Sequence, residues 1–294
     1  MALPTRMDWT KVPRILAGTW PRPIPPRTFD YREALDLLAS RGGDLVIDTE
    51  YGRESHYLTL LGVGFLGPQE VEQGFQLEWP ALPPYAKEEL RAGMQAAIPR
   101  YRVIFQNLLA DIPVLWQNLG IAETVYLQIE DLLLAHAVLW SELPHDLEFL
   151  ASLYGPYPKM KHLPEPDHNW GDVCDTGAAW RAVERELAHD PLSEGVYRQQ
   201  SLPIALRSLL PAKRRGVLIN LPRVEAASAE NLVLVTAAES LARAWVGWPM
   251  NLGSNPHVAW YLYEHAALPR QKHRKTKKTT IEADAIAALR AGLH

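Results

Sequence analysis

One cysteine, Cys174, stands among 294 residues. A lone thiol excludes an intramolecular disulfide and a zinc site built on cysteines, and its simplest reading is a small buried apolar side chain. No apolar run approaches the roughly 18–20 residues that a membrane helix needs, and no secretory leader opens the chain. The expectation is a soluble protein that does not engage membranes. Ten histidines are scattered without the spacing of a metal-ligand set. What is plentiful is apolar material, 47% of residues against 22% charged, enough to bury the cores of two domains. Proline is also frequent, at 24, and its clusters at 21–26 and 156–166 read as loops.

The small net charge of −4 hides an asymmetry. Residues 195–294 hold 14 Lys/Arg against 6 Asp/Glu, a net of +8, which leaves 16 against 28, a net of −12, for residues 1–194. An acidic half repels nucleic acid unless cations bridge the two, whereas a basic half attracts phosphate backbones.

Four acidic residues define the candidate chemistry: Asp48 and Glu50 in VIDTE, Asp111 in FQNLLAD and Asp175 in WGDVCD. Each motif alone is ordinary. D-x-E after an apolar run is commonly a solvated strand end, and Asn and Asp are everyday loop and cap residues. Their order and setting carry more weight. Asp48 and Glu50 close the apolar run Leu45-Val46-Ile47 and, at i and i+2 on a strand, share a face. Asp111 opens a helix after Val103-Ile104-Phe105, and Asp175 sits in a helix. Carboxylates converging from distant segments can hold two hard divalent cations, Mg²⁺ or Mn²⁺. Paired ions about 3.5–4 Å apart suit in-line attack on a phosphodiester.

Hydropathy patterning predicts a helix over 31–41, two strands within 43–66 joined by a polar turn, and a third strand over 74–79. A helix over 85–100 and a strand over 101–107 follow, then helices at 111–118, 129–140 and 145–154. The stretch 156–170 reads as a Pro-rich loop and 172–189 as a helix. Mixed strands followed by helices imply an α/β, ribonuclease H-like layout. Residues 195–294 read as helical: an amphipathic helix ending near Gly216, a Pro-started helix from 222, a turn at NLGSNP, a short helix, a basic loop and a last helix. Trp180, Trp245 and Trp260 have core-like helical spacing.

In this order the motifs resemble the DEDD exonuclease superfamily, and specifically the proofreading domain of family A (DNA polymerase I-like) DNA polymerases. Gln106-Asn107-Leu108-x-x-Asp111 is similar to that family's second motif, and IEDLLLAHAVL and HDLEFLASLYG to the helices that follow it. KRRGVLIN, NLGSNP and RKTKKTTIEAD are similar to the start of the family's polymerase domain, the thumb that grips primer–template DNA. The resemblance runs from about residue 40 to the end. It implies an exonuclease domain over 1–192 and a helical thumb over 193–294, with palm and fingers absent, hence either a fragment of a polymerase, the favoured reading, or a stand-alone relative, acting as a monomer in the cytoplasm of a bacterial cell or a phage-infected host.

The same resemblance implies a mechanism. Asp48, Glu50 and Asp175 would bind one metal, which activates water, and Asp48 with Asp111 a second, which stabilises the leaving 3′ oxygen. Thr49, Gln106 and Asn107 would contact the terminal nucleotides of a single-stranded DNA 3′ end. Ser254, Asn255, Arg270, Lys272, Arg274, Lys275, Lys277 and Lys278 would contact duplex backbone at the thumb. Against the bland reading of the 270–278 run as a solvated loop, that placement favours phosphate contacts. The family's third motif is Y-x-x-x-D, with a tyrosine that orients the attacking water. Four residues before Asp175 stands Gly171, and five before it, where a sister class has histidine, stands Trp170; neither water-positioning residue is in place, which leaves His168 or Trp170 to reach in from the loop, or a slow site. Two other readings stay open: a catalytically weak DNA-holding module, and a 3′-5′ exoribonuclease of the same superfamily.

Overall fold

The computed structural model describes residues 25–292 apart from 53, 156–163, 249 and 274–277. Arg274, Lys275 and Lys277 of the basic run therefore lie outside the described residues. The chain divides into two compact units, Met1–Gly216 and Val217–His294.

The first unit is built on six strands: β1 (Arg27–Thr28), β2 (Gly43–Tyr51), β3 (Leu58–Leu66), β4 (Val71–Glu78), β5 (Tyr101–Phe105) and β6 (Gln128–Asp131), in the order β1-β4-β3-β2-β5-β6. β2, β3 and β4 form an antiparallel meander, and β5 and β6 add in parallel on the other side of β2. This mixed sheet flanked by helices is the ribonuclease H-like layout expected. Helices α1 (Tyr31–Ser40), α2 (Pro84–Ala97), α3 (Leu108–Leu119), α4 (Leu132–Leu139), α5 (Leu147–Tyr154) and α6 (Glu165–His189) complete it. Strand interiors are apolar on both faces, as a sheet covered by helices on each side requires: Leu45, Val46, Ile47, Val63, Val103 and Ile104 are all buried.

Three local predictions are corrected. The third strand starts at Val71, because a β-bulge near Leu66 lets Val71 join the ladder. The span 129–140 begins as β6, where Ile129 pairs with Val103, and turns helical only after Asp131, whose side chain caps α4 at the Leu134 amide, 2.7 Å away. The segment 165–170 is not loop: α6 starts at Glu165, after the N-cap residue Pro164, so Trp170 and Gly171 are helical and buried.

A helical stretch over 191–215, α7, closes the first unit. Two π turns, Tyr197–Ser201 and Ala205–Leu209, interrupt it. Pro203 and Pro211 lack the N–H that closes an α turn, and each follows one of these widened segments. α7 docks through Tyr197, whose hydroxyl donates to Glu130 Oε2 and accepts from the Asp131 amide, both at 2.9 Å, while Arg198 pairs with Glu130 Oε1 at 2.9 Å. Tyr197, Leu202, Ala205 and Leu210 are buried. These bonds hold the start of α7 to the sheet of the first unit, whose last residue is Gly216.

The second unit holds α8 (Leu221–Val246), capped by Asn220 and ended by left-handed Gly247, then α9 (Asn255–Trp260) and α10 (Ala283–Gly292). Lys272 and Thr279 form an isolated bridge across the basic loop. The apolar residues of α8 are spread round the helix, and none of its residues is buried. Trp180 is core as expected, but Trp245 and Trp260 are exposed, at 85% and 48%.

Candidate active site

β2 runs past its neighbour. It pairs with β5 only from Gly43 to Val46, so Asp48 and Glu50 project beyond the point where β5 ends and the chain turns into α3. α3 begins there, and Asp111 in its first turn faces Thr49. The Thr49 amide donates to Asp111 Oδ1 at 3.1 Å and the Thr49 hydroxyl to the same oxygen at 2.6 Å. Asp131 fixes the start of α3 from below by accepting from the Leu108 amide at 2.6 Å.

α6 covers the other face of the sheet. Asn169 donates from Nδ2 to Asp48 Oδ2 at 2.6 Å and accepts at Oδ1 from Gln76 Nε2 at 2.7 Å. This close approach depends on Gly62, which pairs with Asp48 across the ladder. A Cβ there would stand 2.5 Å from Asn169 Oδ1 and 2.8 Å from Val173, inside van der Waals contact. Arg102 and Arg181 both bond Asp44 at the foot of β2, at 2.8 Å and 2.6 Å, and tie α6 to the sheet.

Asp48, Glu50 and Asp111 therefore meet at one sheet edge, and the fourth carboxylate is Asp172. Burial pushes Asp48 well above the ordinary carboxylate range, and Asp111, Asp172 and Glu50 push it further, opposed by the Asn169 amide. Glu50 is raised by burial first and by Asp172 and Glu165, with the His168 imidazole opposing. Burial also pushes Asp111 up to about 7, against the Thr49 hydrogen bonds. Asp175 is not brought into this group. It lies one turn further along α6, buried, with Oδ1 only 2.7 Å from where a Cβ on Gly155, at the end of α5, would stand.

The shift of three residues matters. Four positions before Asp172 stands His168, one helical turn away on α6, with Nε2 3.4 Å from Asp172 Oδ2. Ligand atoms of Glu50, His168 and Asp172 lie within 4.8 Å of one another. The histidines thus do include one with ligand spacing. Sequence patterning misses Asp172 because it takes Asp175, in the same expected helix, as the acidic residue of the third motif; it leaves Asn169 in a loop because it starts that helix at 172, and places His168 there only as a group that could reach in. Of the other expected contacts, Gln106 donates weakly to the His145 carbonyl at 3.4 Å, and Asn107 is the N-cap residue of α3 without a side-chain cap bond. In the second unit, Ser254 is the N-cap residue of α9, where Asn255 is the first helical residue, and Arg270 pairs with Glu264. Lys272 and Lys278 stand on either side of residues 274–277, which lie outside the described residues.

The donor set fits hard divalent ions. Four carboxylates crowd one edge and oppose one another's ionisation; oxygen-rich, negatively charged sites of this kind suit Mg²⁺ or Mn²⁺. The crowding has a consequence for stability. Asp111 and Asp131 both sit at about 7 against an ordinary 3.8. A carboxyl raised by folding contributes stability that is full below its unfolded pKa and lost as pH climbs through the folded one. The metal-free protein is expected to lose melting temperature as pH rises from about 4 to about 7, and added Mg²⁺ or Mn²⁺ to restore it at neutral pH. Thermal melts across this range in chelator check this. A flat profile would mean that these carboxyls do not hold protons in the folded state.

No protein-family model and no curated protein sequence matches the chain. Among solved structures, it is similar to Escherichia coli RNase D, an exoribonuclease involved in structured RNA processing, with 16% identity over 67% of this chain and 52% of that one and a TM-score of 0.45. It is also similar to the EXD2 exonuclease domain, with 16% identity over 57% of this chain and 94% of that one and a TM-score of 0.28. The chain thus spans about half the length of RNase D.

Proposed function

We propose that the first unit is a metal-dependent 3′-5′ exonuclease that releases nucleoside 5′-monophosphates from nucleic acid 3′ ends. The observation that carries this reading is the meeting of Asp48, Glu50, Asp111 and Asp172 from three separate segments, with Asp48 central to the charge crowding. Asp48, Glu50 and Asp172 would hold one divalent ion, and Asp48 with Asp111 a second. Bound there, such ions supply the positive charge that in-line displacement at phosphorus requires. The protein's own part is positional. Thr49 fixes Asp111, Asn169 fixes Asp48, and Gln76 fixes Asn169. Gln106 and Asn107, at the mouth between β5 and α3, would meet the terminal nucleotides.

DNA is the preferred substrate in this reading, and the second unit the thumb of a family A polymerase, on the strength of the motifs KRRGVLIN, NLGSNP and RKTKKTTIEAD. The test is release of labelled 5′-mononucleotides from single-stranded DNA and RNA, side by side, with Mg²⁺, Mn²⁺ or chelator. Release of internal fragments, or equal release in chelator, would sink the reading, and faster RNA turnover would shift the substrate class.

The basic tip supplies an independent check. Replacing Lys272, Arg274, Lys275, Lys277 and Lys278 with Gln is expected to weaken binding of duplex DNA and to flatten its salt dependence. The log–log slope should fall by about 0.7–0.9 for each phosphate that goes unneutralised. Nucleotide release from a short single strand should change much less. An unchanged salt slope would remove the tip from the DNA interface.

A further inference from the structure

His168 brings an imidazole nitrogen to the carboxylate edge. It sits in the first turn of α6, four residues before Asp172, so both side chains leave the helix on the same side. Its Nε2 is buried and makes no hydrogen bond among the described residues, although Asp172 Oδ2 approaches to 3.4 Å. Glu50 closes the group from β2, with all three donor atoms within 4.8 Å of one another. Two ligand bonds of about 2.1 Å span at most about 4.2 Å, so side-chain shifts of less than about 1 Å would close this group around one ion.

We propose that the His168 imidazole is itself a metal ligand, together with Glu50 and Asp172, and that this position therefore selects Mn²⁺, Co²⁺ or Zn²⁺ over Mg²⁺. The inference rests on the exonuclease reading for the existence of a metal at this edge, and adds which metal and through which atom. The chemistry is direct. Mg²⁺ dehydrates reluctantly and prefers oxygen, whereas imidazole suits the later first-row ions. A site made only of carboxylates would accept Mg²⁺ and Mn²⁺ with little discrimination. One nitrogen ligand tilts it, while Asp48 and Asp111 remain an all-oxygen partner position.

The test is Mn²⁺ binding to the full chain, followed by pulsed electron paramagnetic resonance for coupling to a directly bound ¹⁴N. Wild type is expected to show the coupling. His168→Gln is expected to lose it and to bind Mn²⁺ at least about ten-fold more weakly, with Mg²⁺ affinity changed far less and the thermal melt in chelator unchanged. His168→Tyr should also lose the coupling. Mn²⁺ bound without nitrogen coupling in wild type would overturn the proposal, as would no Mn²⁺ binding at all. The exonuclease reading is judged separately, by nucleotide release: a protein that shows the coupling but releases no nucleotide from DNA or RNA keeps the ligand and loses the reading.

Discussion

Asp48→Asn is expected to remove metal-dependent nucleotide release, by about 10³-fold or more, while raising the melting temperature of the metal-free protein at neutral pH. The two effects have one cause. Asp48 sits where Asp111, Asp172 and Glu50 all press on it, and burial has already made its charge costly. In this geometry it is the carboxylate shared by both proposed ion positions. Losing it costs several kcal/mol of charge stabilisation, and each 1.36 kcal/mol is a factor of ten. Without metal the same carboxylate is a liability, because like charges crowded in a low-dielectric edge oppose folding. The amide keeps nearly the same shape, and Asn169 keeps a partner oxygen. The sign of the stability effect can be checked through pH. A carboxyl raised by folding destabilises the native state only once pH exceeds its unfolded value, so the gain in the variant should grow from about pH 4 upward and vanish in acid. Saturating Mn²⁺ should reverse the order, since only wild type gains from binding. Differential melts with and without metal, beside release assays, read both effects. An Asp48→Asn protein that cleaves at the wild-type rate would place the chemistry elsewhere.

Much of the edge is legible because strands announce themselves. Leu45-Val46-Ile47 is an apolar run that ends at an i, i+2 acidic pair, and β2 follows it residue for residue. Asp111 is legible for the same reason, since an apolar strand followed by Asn and a leucine-rich segment is a strand-to-helix turn. Proline obscures α6. A cluster of prolines around 156–166 reads as loop throughout, but Pro at the start of a helix is favourable, because the first-turn N–H is unsatisfied anyway. Pro164 is the N-cap residue, Pro166 lies in the first turn, and Glu165 and Asp167 complement the positive helix end there. Those are start signals, and they put His168, Asn169 and Asp172 on the helix. β6 is hidden differently. Ile129-Glu130-Asp131 is short and leads into LLLAHAVL without a break, so helical periodicity swallows it, and only pairing with β5 reveals it. The role of Tyr197 is out of reach of local patterning, because its bond to Glu130 joins residues 67 apart. The second unit departs furthest from expectation. Trp245 and Trp260 carry the spacing of core residues, yet α8 buries none of its length. Periodicity tells which residues prefer company and is silent on whether that company is present.

Asp172→Asn and Asp175→Asn are expected to separate sharply, although only three residues divide them on one helix. The first should lose nucleotide release by about 10²–10³-fold, the scale of removing one preorganised electrostatic group from a reacting centre. The second should keep it. Three residues along an α-helix leave two side chains only about 60° apart in direction but about 4.5 Å apart along the axis, so Asp175 stands nearly one turn further from the end of β2 and meets a different neighbour. Asp172 acts on both Asp48 and Glu50 and shares a ligand group with Glu50 and His168. Asp175 instead packs by Gly155 and raises the thiol of adjacent Cys174, secondary to burial. Its change is therefore a matter of stability: an amide in a tight, buried position against the end of α5 should lower the melting temperature and leave the rate per folded molecule intact. Rates must be normalised to folded protein by melting each variant under assay conditions. Mn²⁺ titration gives a second axis, because Asp172→Asn should weaken binding while Asp175→Asn leaves it near wild type. The reverse pattern, activity kept in Asp172→Asn and lost in a folded Asp175→Asn, would return the third motif to Asp175 and would leave His168 facing a carboxylate with no part in the chemistry.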